Sequence, residues 1–199
     1  MRNFKKDEVG VINVLGKPLP FKSELKSYTT DNYQAVRQAL ANSKAKSIVI
    51  DDSGYLMTNE FMRGHGSTGA GNAIFAFYNE LANKFWNLIR FVAENLPEDK
   101  IVYFVMHEEK NDFGDIKPKT IGKMLDEKVY VEGMFAIAIR AIITEGKYQF
   151  KTKSDGLDVC KTPMGMFDEQ FIDNDLKLVD GAIREFYNIK EEVKNDKAS

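Results

Sequence analysis

Cysteine is almost missing from this sequence: one residue in 199, Cys160. No internal disulfide can form, which excludes the small secreted folds that depend on them. Histidine is nearly as scarce, with only His65 and His107, too far apart for zinc-finger spacing. Neither sign of charge prevails, because 28 basic and 30 acidic side chains leave a formal charge of -2. No global field therefore steers the protein toward nucleic acid or a membrane, although local patches can. No run approaches the roughly 20 apolar residues of a membrane span. Met1-Arg-Asn-Phe-Lys-Lys-Asp-Glu8 lacks the apolar core of a signal peptide. These absences fit a cytoplasmic protein. With 43% hydrophobic residues, the chain can bury one sizeable core. The expectation is a single domain over residues 1–189 and a charged, frayed tail over 190–199.

What is present alternates between strand and helix patterns. Val9-Gly-Val-Ile-Asn-Val-Leu15 is a β-branched run ended by Gly16, Pro18 and Pro20, which predicts a strand leaving into a loop. Thr29-Thr30-Asp31 supplies N-cap chemistry for a helix reaching about Ser43, with Tyr33, Val36, Ala39 and Leu40 on one face. Ser47-Ile-Val-Ile-Asp51-Asp52 is apolar on both faces and stops on two acids, as a central strand of a parallel sheet does when it ends at a site. Met62 to Gly71 reads as a loop, and Phe77, Tyr78, Leu81, Phe85, Leu88 and Val92 then recur at helical spacing over roughly 72–95. Lys100 to His107 is another apolar strand, and Glu108 to Lys119 a charged loop. Thr120 to Val129 predicts a helix with Ile121, Met124 and Leu125 inward. Phe135 to Thr144 and Tyr148 to Thr152 predict a hairpin at the sheet's edge, and Leu176 to Ile189 a final helix. This alternation argues for a three-layer α/β sandwich with a mainly parallel sheet and an antiparallel edge hairpin.

Ligands of open parallel sheets bind beyond the carboxyl ends of the strands, where Asp51, Asp52 and His107 all fall. A carboxylate delivered by an apolar strand suits a Mg-bound nucleotide. Asp51 is the candidate cofactor and metal ligand. Asp52 is a second metal-site candidate that could polarise a water, and its burial beside a like charge should raise its proton affinity. His107 could orient that water or sense a phosphate. The plainer alternatives are that the acids cap a helix or turn and that His107 bonds a backbone carbonyl. The Gly64-His-Gly-Ser-Thr-Gly-Ala-Gly71 loop lacks the lysine and spacing of G-x-x-x-x-G-K-[ST] and is not read as a phosphate cradle, leaving His65 solvated. The lysines of 117–123 and 147–153, with Tyr148 and Phe150, could meet single-stranded nucleic acid, or be ordinary solvated charge. A two-metal nuclease would need Asp51, Asp52, His107, Glu108 and Glu109 to converge around ions about 4 Å apart.

Four stretches together, Ser47-Ile-Val-Ile-Asp-Asp-Ser-Gly-Tyr-Leu-Met57, Phe104-Val-Met-His-Glu-Glu109, Lys117-Pro-Lys-Thr-Ile-Gly-Lys-Met-Leu125 and Lys161-Thr-Pro-Met-Gly-Met-Phe167, resemble a phage family of AAA/RecA-like ATP-binding proteins. The resemblance covers nearly the whole chain. It implies a RecA-like fold, ATP and Mg2+ as cofactors, Mg coordination at Asp51, a catalytic or water-polarising role at Asp52, and a sensor strand ending at His107. It also implies a role in DNA recombination in a phage-infected cell, with single-stranded DNA or an annealing protein as partner; a homo-oligomer is left open by the sequence. The family pattern begins with a strand and a G-x-x-x-x-G-K-[ST] loop, whereas Met1-Arg-Asn-Phe resembles the helix after that loop. The expectation is a truncated ATPase, deficient in autonomous hydrolysis, with an open sheet edge beside the sensor strand. A non-catalytic module that binds DNA or a recombinase is the alternative.

Overall fold

The computed structural model describes residues 1–69 and 71–189; the tail expected at 190–199 lies outside the described residues. Four strands form a parallel sheet: β1 (Val9–Asn13), β2 (Ser27–Thr29), β3 (Ser47–Asp51) and β4 (Ile101–Phe104), in the order β2-β1-β3-β4. Between them run α1 (Tyr33–Asn42), α2 (Tyr55–Gly64) and α3 (Asn72–Asn95). The alternating side chains of β3 show why this sheet is covered on both sides. Ile48 and Ile50 enter one apolar cluster with Val36 and Leu40 of α1, Leu56 and Met57 of α2, and Phe85 and Leu88 of α3. Val49 enters a second cluster with Val9, Val11 and Phe4, covered by α4 (Leu176–Phe186) through Leu176, Val179 and Ile183. Each fully buried aliphatic or aromatic side chain contributes about 1.5–3 kcal/mol to that burial.

The helix signals place α1 and α3 closely. Asn32, not Asp31, caps α1, its side chain accepting the Ala35 N–H at 3.0 Å. Asp31 instead accepts from Asn59 and Arg63 of α2, tying two helices together. Residues 1–8 form turns rather than the helix that Met1-Arg-Asn-Phe resembles, with Phe4 buried against β1 and β3. Residues 124–129 form a π-helical segment ended by left-handed Tyr130 (φ 54°), whose N–H bonds the Leu125 carbonyl. That wide turn buries Leu125 and leaves Met124 partly in solvent.

The antiparallel elements sit apart from the parallel sheet. The charged stretch after β4 forms a short hairpin, β5 (Glu108–Lys110) and β6 (Ile116–Pro118). The expected hairpin exists as β7 (Arg140–Thr144) and β8 (Lys147–Lys151), turning through Glu145 and Gly146, both at positive φ. Its expected place at the edge of the parallel sheet is corrected. It joins β9 (Phe171–Asp173) in a separate three-stranded sheet. Phe150 and Ile172 pack into the α4-side cluster, so this sheet lies against the core instead of prolonging it.

The parallel sheet therefore ends at β4. The Ile101 and Val105 N–H groups bond Lys46 and Ile50 carbonyls at 2.8 and 3.0 Å. By alternation the backbone groups of Val102 and Phe104 point away from β3, and among the described residues β4 pairs with no other strand.

Candidate functional site at the carboxyl edge of the parallel sheet

β1 and β3 run parallel in a register that sets Asn13 beside Asp51, so both strands deliver a polar residue at the same level. After Asp51 the chain turns sharply. Asp52 takes a left-handed conformation (φ 57°), and buried Ser53 reaches across to β4, its N–H and Oγ both bonding the Val105 carbonyl at 2.8 and 2.9 Å. Tyr55 N–H then bonds the Asp52 carbonyl and α2 begins. A non-glycine residue held left-handed is strained, and here it is held by contacts on both sides.

The two acids have different surroundings. Asp52 is only 8% exposed, and its carboxylate forms an ion pair with Lys17 Nζ at 2.7 Å through Oδ2 and lies 3.3 Å from His107 Nε2 through Oδ1. Asp51 is half-buried, and among the described residues no ion pair holds its carboxylate. Burial first, and then the neighbouring Asp52 carboxylate, raise the Asp51 carboxyl above its ordinary value, while Lys17, the Asp52 N–H and the Met1 ammonium act the other way. Burial beside a like charge thus raises the proton affinity of Asp51.

His107 lies three residues beyond β4, mostly exposed, its ring edge-on to Tyr55 at 5.8 Å. Its carbonyl accepts the Lys119 N–H, which ties the segment after β6 to this rim. Asp51, Asp52 and His107 are therefore brought together as the spacing suggested.

Two residues at this site were missed. Asn13 is 2% exposed, and its side chain closes the turn after β1 by donating to the Lys17 carbonyl at 2.6 Å and accepting the Gly16 N–H at 2.7 Å. Gly16 sits at φ 67°, as a tight turn requires. This turn aims Lys17 at Asp52. The signal for Asn13 was available, a lone amide inside an otherwise apolar run. Nothing in the Gly16-Lys17-Pro18 loop announced the lysine's target.

Other candidates fall elsewhere. Glu108 holds Arg140 with both carboxylate oxygens, and Glu109 faces Lys117 at 3.9 Å. Among the described residues no three His, Cys, Asp or Glu side chains are grouped to hold a metal ion, so the five-residue convergence of a two-metal nuclease is not formed. The glycine-rich loop follows α2, whose ten residues separate it from Asp52 by about 15 Å of helix. His65 is exposed there, stacked on Phe61. Of the basic and aromatic residues at 147–153, Tyr148 is exposed, Phe150 packs into the core, and Lys151 is buried in ion pairs with Asp155 and Asp158.

A carboxylate pair at the end of an apolar strand offers the oxygen donors that fit a hard divalent cation. The described residues offer no glycine-rich cradle for phosphates at this rim. No helix among them is long and apolar enough to cross a membrane. Comparison of the chain with protein-family models, curated proteins and solved structures returns no match.

Proposed function

We propose that this protein is a RecA-like domain of the P-loop ATPase type from a phage DNA-recombination or single-strand-annealing system. On this reading it is a three-layer sandwich working in the host cytoplasm and holding a Mg-bound nucleotide at the carboxyl edge of its parallel sheet. The observation that carries the reading is the acid pair at the end of β3, Asp52 paired with Lys17 and Asp51 half-buried beside Asn13, on a sheet buried on both faces.

In this reading Asp51 holds the Mg2+ directly or through water, with Asp52 beside it. The ion, when bound, supplies charge neutralisation to the phosphates. Asp52, steadied by His107, orients a water against the terminal phosphate, and His107 senses that phosphate from across the rim. With no cradle for the other phosphates at the rim, binding is weak and hydrolysis by the chain alone is slow. The test is a titration with a fluorescent ATP analogue, with and without Mg2+, on the wild type and Asp51→Asn. Mg-dependent binding lost in the variant supports the reading. Binding indifferent to Mg2+ and to the substitution would refute it.

One observation favours a second reading, a non-catalytic assembly module that contacts DNA or a recombinase. Among the described residues β4 is a half-buried apolar strand, Ile-Val-Tyr-Phe, at a sheet edge that carries no charge, proline or bulge of the kind that usually protects one. Such a module would bind its partner equally well in chelator and in Mg2+.

A further inference from the structure

We infer that Lys17 is a built-in competitor for the divalent cation: its ammonium occupies the charge position on Asp52 until a metal ion displaces it. The inference rests on the proposed metal role of the Asp51–Asp52 pair and assigns that site a residue which no motif names.

Three features make this more than a surface ion pair. The partner is a carboxylate with a side chain only 10% exposed, whereas Lys17 itself is 57% exposed and has room to swing out. The loop that carries it is fixed from below by the buried Asn13, which bonds both Gly16 and Lys17 backbone groups. The Val14 N–H bonds the Asp51 carbonyl, so the lysine loop and the acid pair are joined through the backbone. The groups facing Lys17 are Asp52, Asp51 and Tyr55, all at the rim, and all three favour its charged form. A divalent ion placed between the two carboxylates would put its charge against this ammonium. At short range the two cations repel, and only one can neutralise Asp52.

Bare metal therefore binds weakly. A metal that arrives with phosphate gives the displaced ammonium a new anion to face, so the site favours metal–polyphosphate over metal alone.

The test uses the full chain and Mn2+ as probe, read by the loss of the free-ion electron paramagnetic resonance signal, without nucleotide. Lys17→Met should bind Mn2+ about 2- to 5-fold more tightly than wild type, the range an exposed ion pair supports. Lys17→Arg, which keeps the charge, should return to the wild-type value. Asp51→Asn in either background should abolish the binding. Equal affinity in wild type and Lys17→Met, with Asp51→Asn still abolishing it, overturns the role of Lys17 while the metal reading stands. No Mn2+ binding by any form overturns both.

Discussion

The most demanding test of the fold concerns the opposite end of the sheet from the acid pair. Asp180 of α4 is 6% exposed, accepting the Ser47 hydroxyl at 2.6 Å, the Tyr103 hydroxyl at 2.8 Å and Arg184 Nε at 2.8 Å. Arg184 is 9% exposed and also bonds Ser47 Oγ and the Asp99 carbonyl. Burial and the Asp180 carboxylate hold the Tyr103 phenol far above its ordinary value, so it remains a donor at any working pH. Arg184→Met removes the only cation paired with Asp180 among the described residues and leaves it buried with two hydroxyl donors, which costs about 3–5 kcal/mol. Asp180→Leu/Arg184→Met removes both charges together and should be less damaged than the single variant by about 1 kcal/mol or more, since neither charge is stranded. Urea unfolding followed by the fluorescence of the lone tryptophan, Trp86, gives both values if the slopes are equal. In a chain of this size the single variant should lose about 10 °C in Tm. An Arg184→Met variant within about 0.5 kcal/mol of wild type, or a double variant worse than the single, would refute the claim that this network fastens α4 to β3 and β4.

Asp51→Asn should stabilise the protein near neutral pH. The native carboxyl is raised, so the native state holds its proton more tightly than the unfolded chain does, and its relative contribution to stability is lost as pH rises through the native value. The advantage of the amide should fade toward acid, where both states are protonated; a variant less stable than wild type at pH 7 would contradict this. At the sheet edge, the Val102 and Phe104 amides should exchange with solvent at least about 10-fold faster than those of Ile101 and Val105, which bond the β3 side. Equal protection at both pairs would mean that another strand covers β4 in solution. Lys151→Met strands the Asp158 carboxylate, whose side chain is 2% exposed, and should cost about 3–5 kcal/mol in chemical denaturation. A loss under about 1 kcal/mol would mean that Arg140, 3.8 Å from Asp158, suffices alone.

Much of the fold was legible because β3, β4, α1 and α3 are periodic enough for local sequence to decide. In Ser-Ile-Val-Ile-Asp both faces are apolar and the stop is charged, which admits a central parallel strand and little else. Helix α2 was not anticipated, because Asp52-Ser53-Gly54 reads as turn chemistry, and only the Ser53 bonds to Val105 reveal that the turn opens a helix. β5, β6 and β9 have three residues each, too short for periodicity, and exist through pairing with distant partners. The π-helical segment at 124–129 carries a helical pattern, and tertiary packing of Leu125 sets its width. At the site the acids and His107 were legible as strand ends. Lys17 was not, since a loop lysine acquires a target only when β1 and β3 are in register.

That register also explains why the site looks functional rather than merely capped. A carboxylate needed only to cap α2 would sit at the N-cap and accept helix N–H groups, but the N-cap of α2 is Gly54 and no side chain caps it. Asp52 instead turns its carboxylate toward Lys17 and His107, at the cost of a left-handed backbone. Asp51, one residue earlier, carries a charge that burial and the Asp52 carboxylate oppose, and among the described residues it forms no ion pair such as the one Lys17 makes with Asp52. Folding alone would favour an asparagine there. A carboxylate that burial disfavours in its charged form, fixed beside one already paired with Lys17, is the arrangement expected where a ligand is meant to complete the electrostatics. The proposed ligand follows from that sign: it must bring positive charge to Asp51 and accept the displaced ammonium of Lys17, which a metal-bound polyphosphate does with one molecule.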